Sequence, residues 1–170
     1  MAKRIALVAG LAVLALINFG IYQREQLVRH GSLVLLKLSP VDPRSLMQGD
    51  YMRLSFEAAD QAFPGAGRFG APQPGSDGHL VVLRDGQGVG HFRRFADGRP
   101  LGPGEVALRY RIRAGEPQFA TNAFFFEEGQ ADVYAKAAYG EFRVAEDGEM
   151  ILTGLRDAKG ARLGRSQALF

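Results

Sequence analysis

The sequence predicts a mainly β protein: an N-terminal transmembrane helix followed by a β-sandwich or partly open β-barrel domain with one short helix. Three observations predict it. An uncharged apolar run covers residues 5–22. Glycine and proline, 22 and 8 residues, cluster at 63–78 and 98–104 as they do between short strands. Several stretches alternate apolar with polar residues at the two-residue period of a half-buried strand.

Composition bounds the rest. Of 170 residues, roughly 145 follow the apolar run, enough for one domain with its own core. The net charge of +3 looks basic, but setting aside Lys3 and Arg4, which precede the run, leaves 19 basic residues against 18 acidic ones. A nucleic-acid binder concentrates basic charge on its folded part, so no nucleic-acid partner is expected. The chain has no cysteine, which excludes thiol catalysis, disulfides and cysteine-ligated metal sites.

The apolar run opens at Ile5 and closes at Tyr22, and its eighteen residues sit at the lower end for crossing a bilayer as a helix. Signal-peptide cleavage needs small residues one and three positions before the cut, and the run ends Asn-Phe-Gly-Ile-Tyr instead, which predicts a retained signal-anchor lodged in the lipid bilayer with Tyr22 at the interface. A short basic N-terminus ahead of an apolar core has the layout of an export signal, placing the C-terminal domain outside the cytoplasm. The expected organisation is an anchor over 1–24, a linker over 25–31 that Gly31 ends, and an extracytoplasmic domain over 32–170.

The domain opens with Ser-Leu-Val-Leu-Leu-Lys-Leu at 32–38, apolar on both faces apart from Lys37 and therefore a covered strand. Pro40 and Pro43 turn the chain, and residues 43–47 can make one helical turn before Gly49-Asp50. Met52, Leu54 and Phe56 then alternate with Tyr51, Arg53 and Ser55, the pattern of a half-buried strand. A short helix is allowed at 57–62. Residues 79–84 and 89–95 flank Asp85-Gly-Gln-Gly, a hairpin signal. Residues 105–113 alternate most cleanly, with Val106, Leu108, Tyr110 and Ile112 on one side and Arg109, Arg111 and Arg113 on the other. After an aromatic-rich extended stretch at 118–126, the spacing of Ala131, Tyr134, Ala135 and Ala138 predicts a helix over 128–138, with Glu127 and Glu128 at its N-terminus. A second hairpin joins 142–144 to 149–155 through Glu146-Asp147-Gly148.

The stretch Gly49-Asp50-Tyr51-Met52-Arg53-Leu54-Ser55-Phe56 resembles the signature of the bacterial GDYXXLXY protein family, with Phe56 where the signature has tyrosine. Pro40-Val-Asp-Pro-Arg-Ser-Leu, Phe124-Phe-Phe-Glu-Glu-Gly and the region 134–144 are also similar to that family. The resemblance implies an N-terminal anchor and an extracytoplasmic domain, and supplies no activity. Its members tend to be encoded beside multi-spanning membrane proteins, which implies a partner of that kind.

For chemistry, Asp42, Arg44, Asp50 and Tyr51 are candidates for a binding edge around the Gly-Asp turn, although an arginine–carboxylate pair that merely holds the loop explains them as well. Glu127 and Glu128 beside three phenylalanines could form an acid pair at an apolar pocket, where burial raises a carboxyl pKa. Their placement at a helix start is the plainer account. A serine/lysine hydrolase of the signal-peptidase type would need Ser45 as nucleophile and Lys37 as a depressed-pKa base, without the expected context around Ser45. His79 and His91 could meet across the first hairpin, but a third metal ligand is unspecified, so neither a metal nor a cofactor is expected. The three arginines could meet an anionic ligand or lipid head groups, or simply pair with facing acids. Two functions follow: a non-enzymatic anchored domain that binds an integral membrane partner or envelope component, and an extracytoplasmic hydrolase or ligand-binding enzyme that uses Asp50, Glu127 or Glu128.

Overall fold

A computed structural model describes residues 2–39, 51–65, 77–113 and 116–164. It begins with α1 (Ala2–His30), which runs without a break through both the apolar stretch and the polar residues after it. The described side chains from Ile5 to Tyr22 are all exposed, so this apolar stretch shields none of its surface against the rest of the chain. Gly31 closes it by donating its N–H to the Leu27 carbonyl at 2.9 Å. A Cβ there would lie 2.5 Å from that oxygen and 3.1 Å from Arg143 Cβ, so only glycine fits the joint. The first strand starts at the next residue.

The strands are β1 (Ser32–Lys37), β2 (Tyr51–Arg53), β3 (Gly78–Arg84), β4 (Gly90–Phe95), β5 (Glu105–Arg113), β6 (Glu116–Phe119), β7 (Ala123–Phe125), β8 (Ala137–Val144) and β9 (Met150–Asp157), with short helices α2 (Glu57–Ala62) and α3 (Ala131–Tyr134). They form open antiparallel sheets: three strands in the order β1-β8-β9, four in the order β4-β3-β5-β6, and a two-stranded ribbon of β2 and β7. The two larger sheets touch where the Leu35 N–H donates to the Gly88 carbonyl at 2.9 Å, beside a parallel bridge from Leu35 to Val89.

The core lies between the sheets and follows from the alternation. Val34, Leu36, Phe142 and Leu155 face inward from one sheet, Leu80, Val82, Leu108 and Phe119 from the other. Met52, Leu54 and Phe56 are buried while Tyr51 and Arg53 are exposed, so the half-buried strand expected there faces as its sequence predicts. Phe56 is 1% exposed, with its ring 5.4 Å from Phe142 and 6.0 Å from Phe119. A tyrosine hydroxyl in that apolar setting would lose its water, which accounts for phenylalanine serving at the last position of the signature. Burying the ring contributes about 2–3 kcal/mol.

One element differs from expectation. The helix predicted over 128–138 is confined to Ala131–Tyr134, and β8 begins at Ala137. Tyr134 is buried as the spacing requires, with Phe124 and Phe126 at 5.0 and 5.1 Å. Past it the backbone is claimed from both sides: Ala137 pairs with Asp157, Tyr139 with Arg156 and with Lys37, and the Ala138 carbonyl accepts from Leu38 at 2.9 Å. Ala135 and Ala138 offer too little apolar area to hold a helix against that pairing.

Candidate functional site

The polar face of β5 carries Arg109, Arg111 and Arg113, and the turn between β8 and β9 lies across it. Gly148 in that turn has φ 83°, and its carbonyl accepts the Arg109 N–H at 2.9 Å. A Cβ there would sit 2.7 Å from the His79 ring and 3.3 Å from the Ala107 carbonyl, so glycine is what lets the turn rest on the strand. His79 Nε2 adds a bond to the Asp147 carbonyl at 3.0 Å.

That docking presents Glu149 to the arginines. Arg109 Nη1 and Arg111 Nη2 both donate to the same oxygen, Glu149 Oε1, the latter at 2.8 Å. Arg113 Nη1 reaches Asp77 Oδ1 at 3.3 Å, and the same oxygen accepts the Ile112 N–H at 2.8 Å. The backbone bond from Ile112, with the charges of Arg113 and Arg111, holds the Asp77 carboxyl below the usual value despite partial desolvation. Arg109, Arg111, Arg113 and Glu149 line a cleft of about 120 Å3, together with Gln118, Ala120 and Met150. Ala120, with φ 43°, is the one non-glycine residue with positive φ among the described residues. Such a conformation costs about 1–2 kcal/mol.

A second arginine–carboxylate cluster lies on β8 and β9. Glu141 is 4% exposed and accepts Arg156 Nε at 2.6 Å and Thr153 Oγ1 at 3.0 Å, with Arg162 Nη1 at 3.9 Å. Burial pushes its carboxyl pKa up, but the bonds from Arg156 and Thr153 and the two arginine charges outweigh it and leave the value lowered. Arg162 also donates to the Thr153 carbonyl and Arg156 Nη1 to the Gly160 carbonyl at 2.9 Å, so the cluster ties the segment after β9 onto the sheet.

Of the residues the sequence singles out, the described Tyr51, Glu127 and Glu128 do not line this cleft. Asp42, Arg44, Asp50 and Ser45 lie outside the described residues. Tyr51 opens β2 opposite Phe125, the rings 5.7 Å apart, and Phe125 is 70% exposed. Glu127 and Glu128 follow β7 on the surface rather than in an apolar pocket, and precede α3 by several residues, with Gln130 at its N-cap. The pairing of Tyr51 with Phe125 sets Glu127 two residues past that end of the ribbon. Lys37 is an exposed lysine whose hydrogen bond to Glu57 at 2.8 Å, with the charge of that glutamate, raises its pKa, the reverse of what a base near neutral pH needs. His79 and His91 do not meet, since His91 pairs with Leu83 and its ring bonds Asp85 at 3.1 Å. Among the described residues no group of three or more His, Cys, Asp or Glu side chains could hold a metal ion.

Sequence reasoning missed Glu141 and Glu149. Glu141 stands at an ordinary polar position of an alternating strand, and Glu149 reads as a turn residue; the arginines of β5 were the one visible half of the cleft. The family model described as "GDYXXLXY protein" matches residues 13–155. No curated protein and no solved structure matches the chain.

Proposed function

The chain belongs to the GDYXXLXY protein family, and from that premise we propose that it is a single-pass, membrane-anchored protein of the bacterial inner membrane. Its C-terminal domain lies on the periplasmic side and binds an integral, multi-spanning membrane protein or envelope component without catalysing a reaction. One observation carries this reading. Residues 7–30 of α1 make a helix long and apolar enough to cross a bilayer, and none of its most apolar window is buried. The uncharged stretch of α1 over residues 5–22 extends about 27 Å, close to the hydrocarbon core of about 30 Å. Exposed apolar surface of that extent needs a non-aqueous environment. The Gly31 joint then holds the β domain at one end of the helix, where it can meet the extramembrane face of a neighbour in the same bilayer.

Alkaline washing of membranes tests the anchor: the full-length chain is expected in the pellet, and release into the supernatant would end the proposal. Protease added outside spheroplasts is expected to digest the β domain and spare the cytoplasmic N-terminus. Crosslinking in intact membranes, followed by affinity capture, is expected to yield one dominant multi-spanning protein. Recovery of the bait alone, together with turnover of envelope substrates lost in Asp50→Asn or Glu128→Gln at unchanged stability, would favour the hydrolase instead.

A further inference from the structure

The β5 cleft has more hydrogen-bond donors than the protein can satisfy. Arg109 and Arg111 each give one N–H to a single carboxylate oxygen of Glu149, and Arg113 gives its Nη1 to Asp77 and to the Ile112 carbonyl. A guanidinium carries five N–H groups, so the three arginines keep donors that no described protein group takes up beside a concave space, which they line together with one carboxylate, Glu149. At about 120 Å3 that space holds a handful of waters or one small anion, and is too small for a nucleotide. Gln118, opposite Arg111 in the pairing of β5 with β6, adds a neutral amide, and the strained backbone at Ala120 forms the rim. Strain of that kind persists where the surroundings fix it, and binding sites are where it concentrates.

We propose that this cleft binds one tetrahedral oxyanion, a phosphate group, through the guanidinium donors of Arg109, Arg111 and Arg113. Glu149 holds Arg109 and Arg111 in position and also competes with the ligand for them. The cleft lies at the end of the domain where α1 enters, because Ser32 pairs with Val144 and Val144 with Met150. Two sources of phosphate are therefore open to it: a lipid headgroup or the free ion.

The test uses the full chain in a maltoside detergent and follows the arginine Nε–Hε resonances while inorganic phosphate is added, with chloride as control. Saturable shifts of all three arginines are expected. Arg111→Gln should weaken binding about tenfold or more, as loss of a charge-assisted hydrogen bond does. Glu149→Gln should tighten it several-fold by removing the competitor, an effect opposite to that of losing a structural ion pair. Should Arg111→Gln fail to fold, Arg113→Gln, whose side chain is 55% exposed, serves instead. In nanodiscs of phosphatidylglycerol, shifts without added phosphate identify a headgroup, whereas resonances that move only with the free ion identify a soluble ligand. Shifts no larger than those from chloride, in both the original chain and Glu149→Gln and with no response to the nanodiscs, would overturn the proposal.

Discussion

The molecule uses the same ingredients twice, one glutamate and two arginines, to opposite ends. At Glu141 the carboxylate is buried, each of its oxygens has a partner, and both arginines go on to bond backbone carbonyls, Arg156 that of Gly160 after β9 and Arg162 that of Thr153 within it. At Glu149 the side chain is 29% exposed, one oxygen is shared by two arginines, and the remaining donors face an open cleft. The difference comes from what lies beyond the strands. The turn at 157–161 brings the chain back alongside β9 through Asp157, so that Arg162 reaches Glu141 on β8, while nothing described covers the arginine face of β5 except the narrow β8–β9 turn. A saturated cluster fastens the fold; an unsaturated one is available to a ligand.

The comparison breaks most directly at Glu141. Glu141→Ala strands two cations against the sheet and is expected to cost about 3 kcal/mol in a denaturant titration, the lower end for a broken buried pair because Arg156 and Arg162 keep some solvent access. A loss no greater than that of Glu149→Ala would erase the distinction. Next in size is Gly140→Ala, on the apolar side of the same strand. Its new Cβ would lie 3.0 Å from both the Phe142 and Phe56 rings, and overpacking of that kind costs about 1–3 kcal/mol. An unchanged melting temperature would mean that the core yields where it is drawn tight.

Acid sharpens the contrast further. Because the Glu141 pKa is lowered by folding, its stabilisation is complete above the unfolded carboxyl value of about 4.3 and is lost as pH falls through the folded value. Glu141→Gln should therefore flatten the acid limb of the stability curve, and an equally steep limb would show that other carboxylates govern it. The smallest effect belongs to Glu149→Gln, within about 1 kcal/mol of the original chain, as a partly exposed ion pair allows. A larger loss would make the cleft structural after all.

Much of the fold was legible because alternation and turn chemistry are local. The faces of β2 and β5 and the Asp85-Gly-Gln-Gly hairpin appear where their residues put them. The helix over 128–138 misled because alanine favours a helix by local propensity alone, and the pairing of β8 with β1 and β9 overrode that preference. The clusters were legible only in halves. Arg109, Arg111 and Arg113 share a face by period, but Glu149, the partner of the first two, lies some forty residues on, brought by a turn that docks between sheets. Glu141 gave no signal, since burial of a polar strand position depends on what later folds over it, here the segment that carries Arg162. Tyr51, Glu127 and Glu128 attracted attention through the signature and local charge, yet they lie on the surface at or near the end of a ribbon.

Gly31 carries a last consequence. With a helix ending one residue before it, a strand starting one residue after it and Arg143 packed against it, the joint has no slack. Inserting one residue between His30 and Ser32 would extend the helix by about 1.5 Å and turn the sheets by about 100° around its axis. Angular phase is thus encoded by length: whatever the β5 cleft faces, it faces because of how many residues precede it.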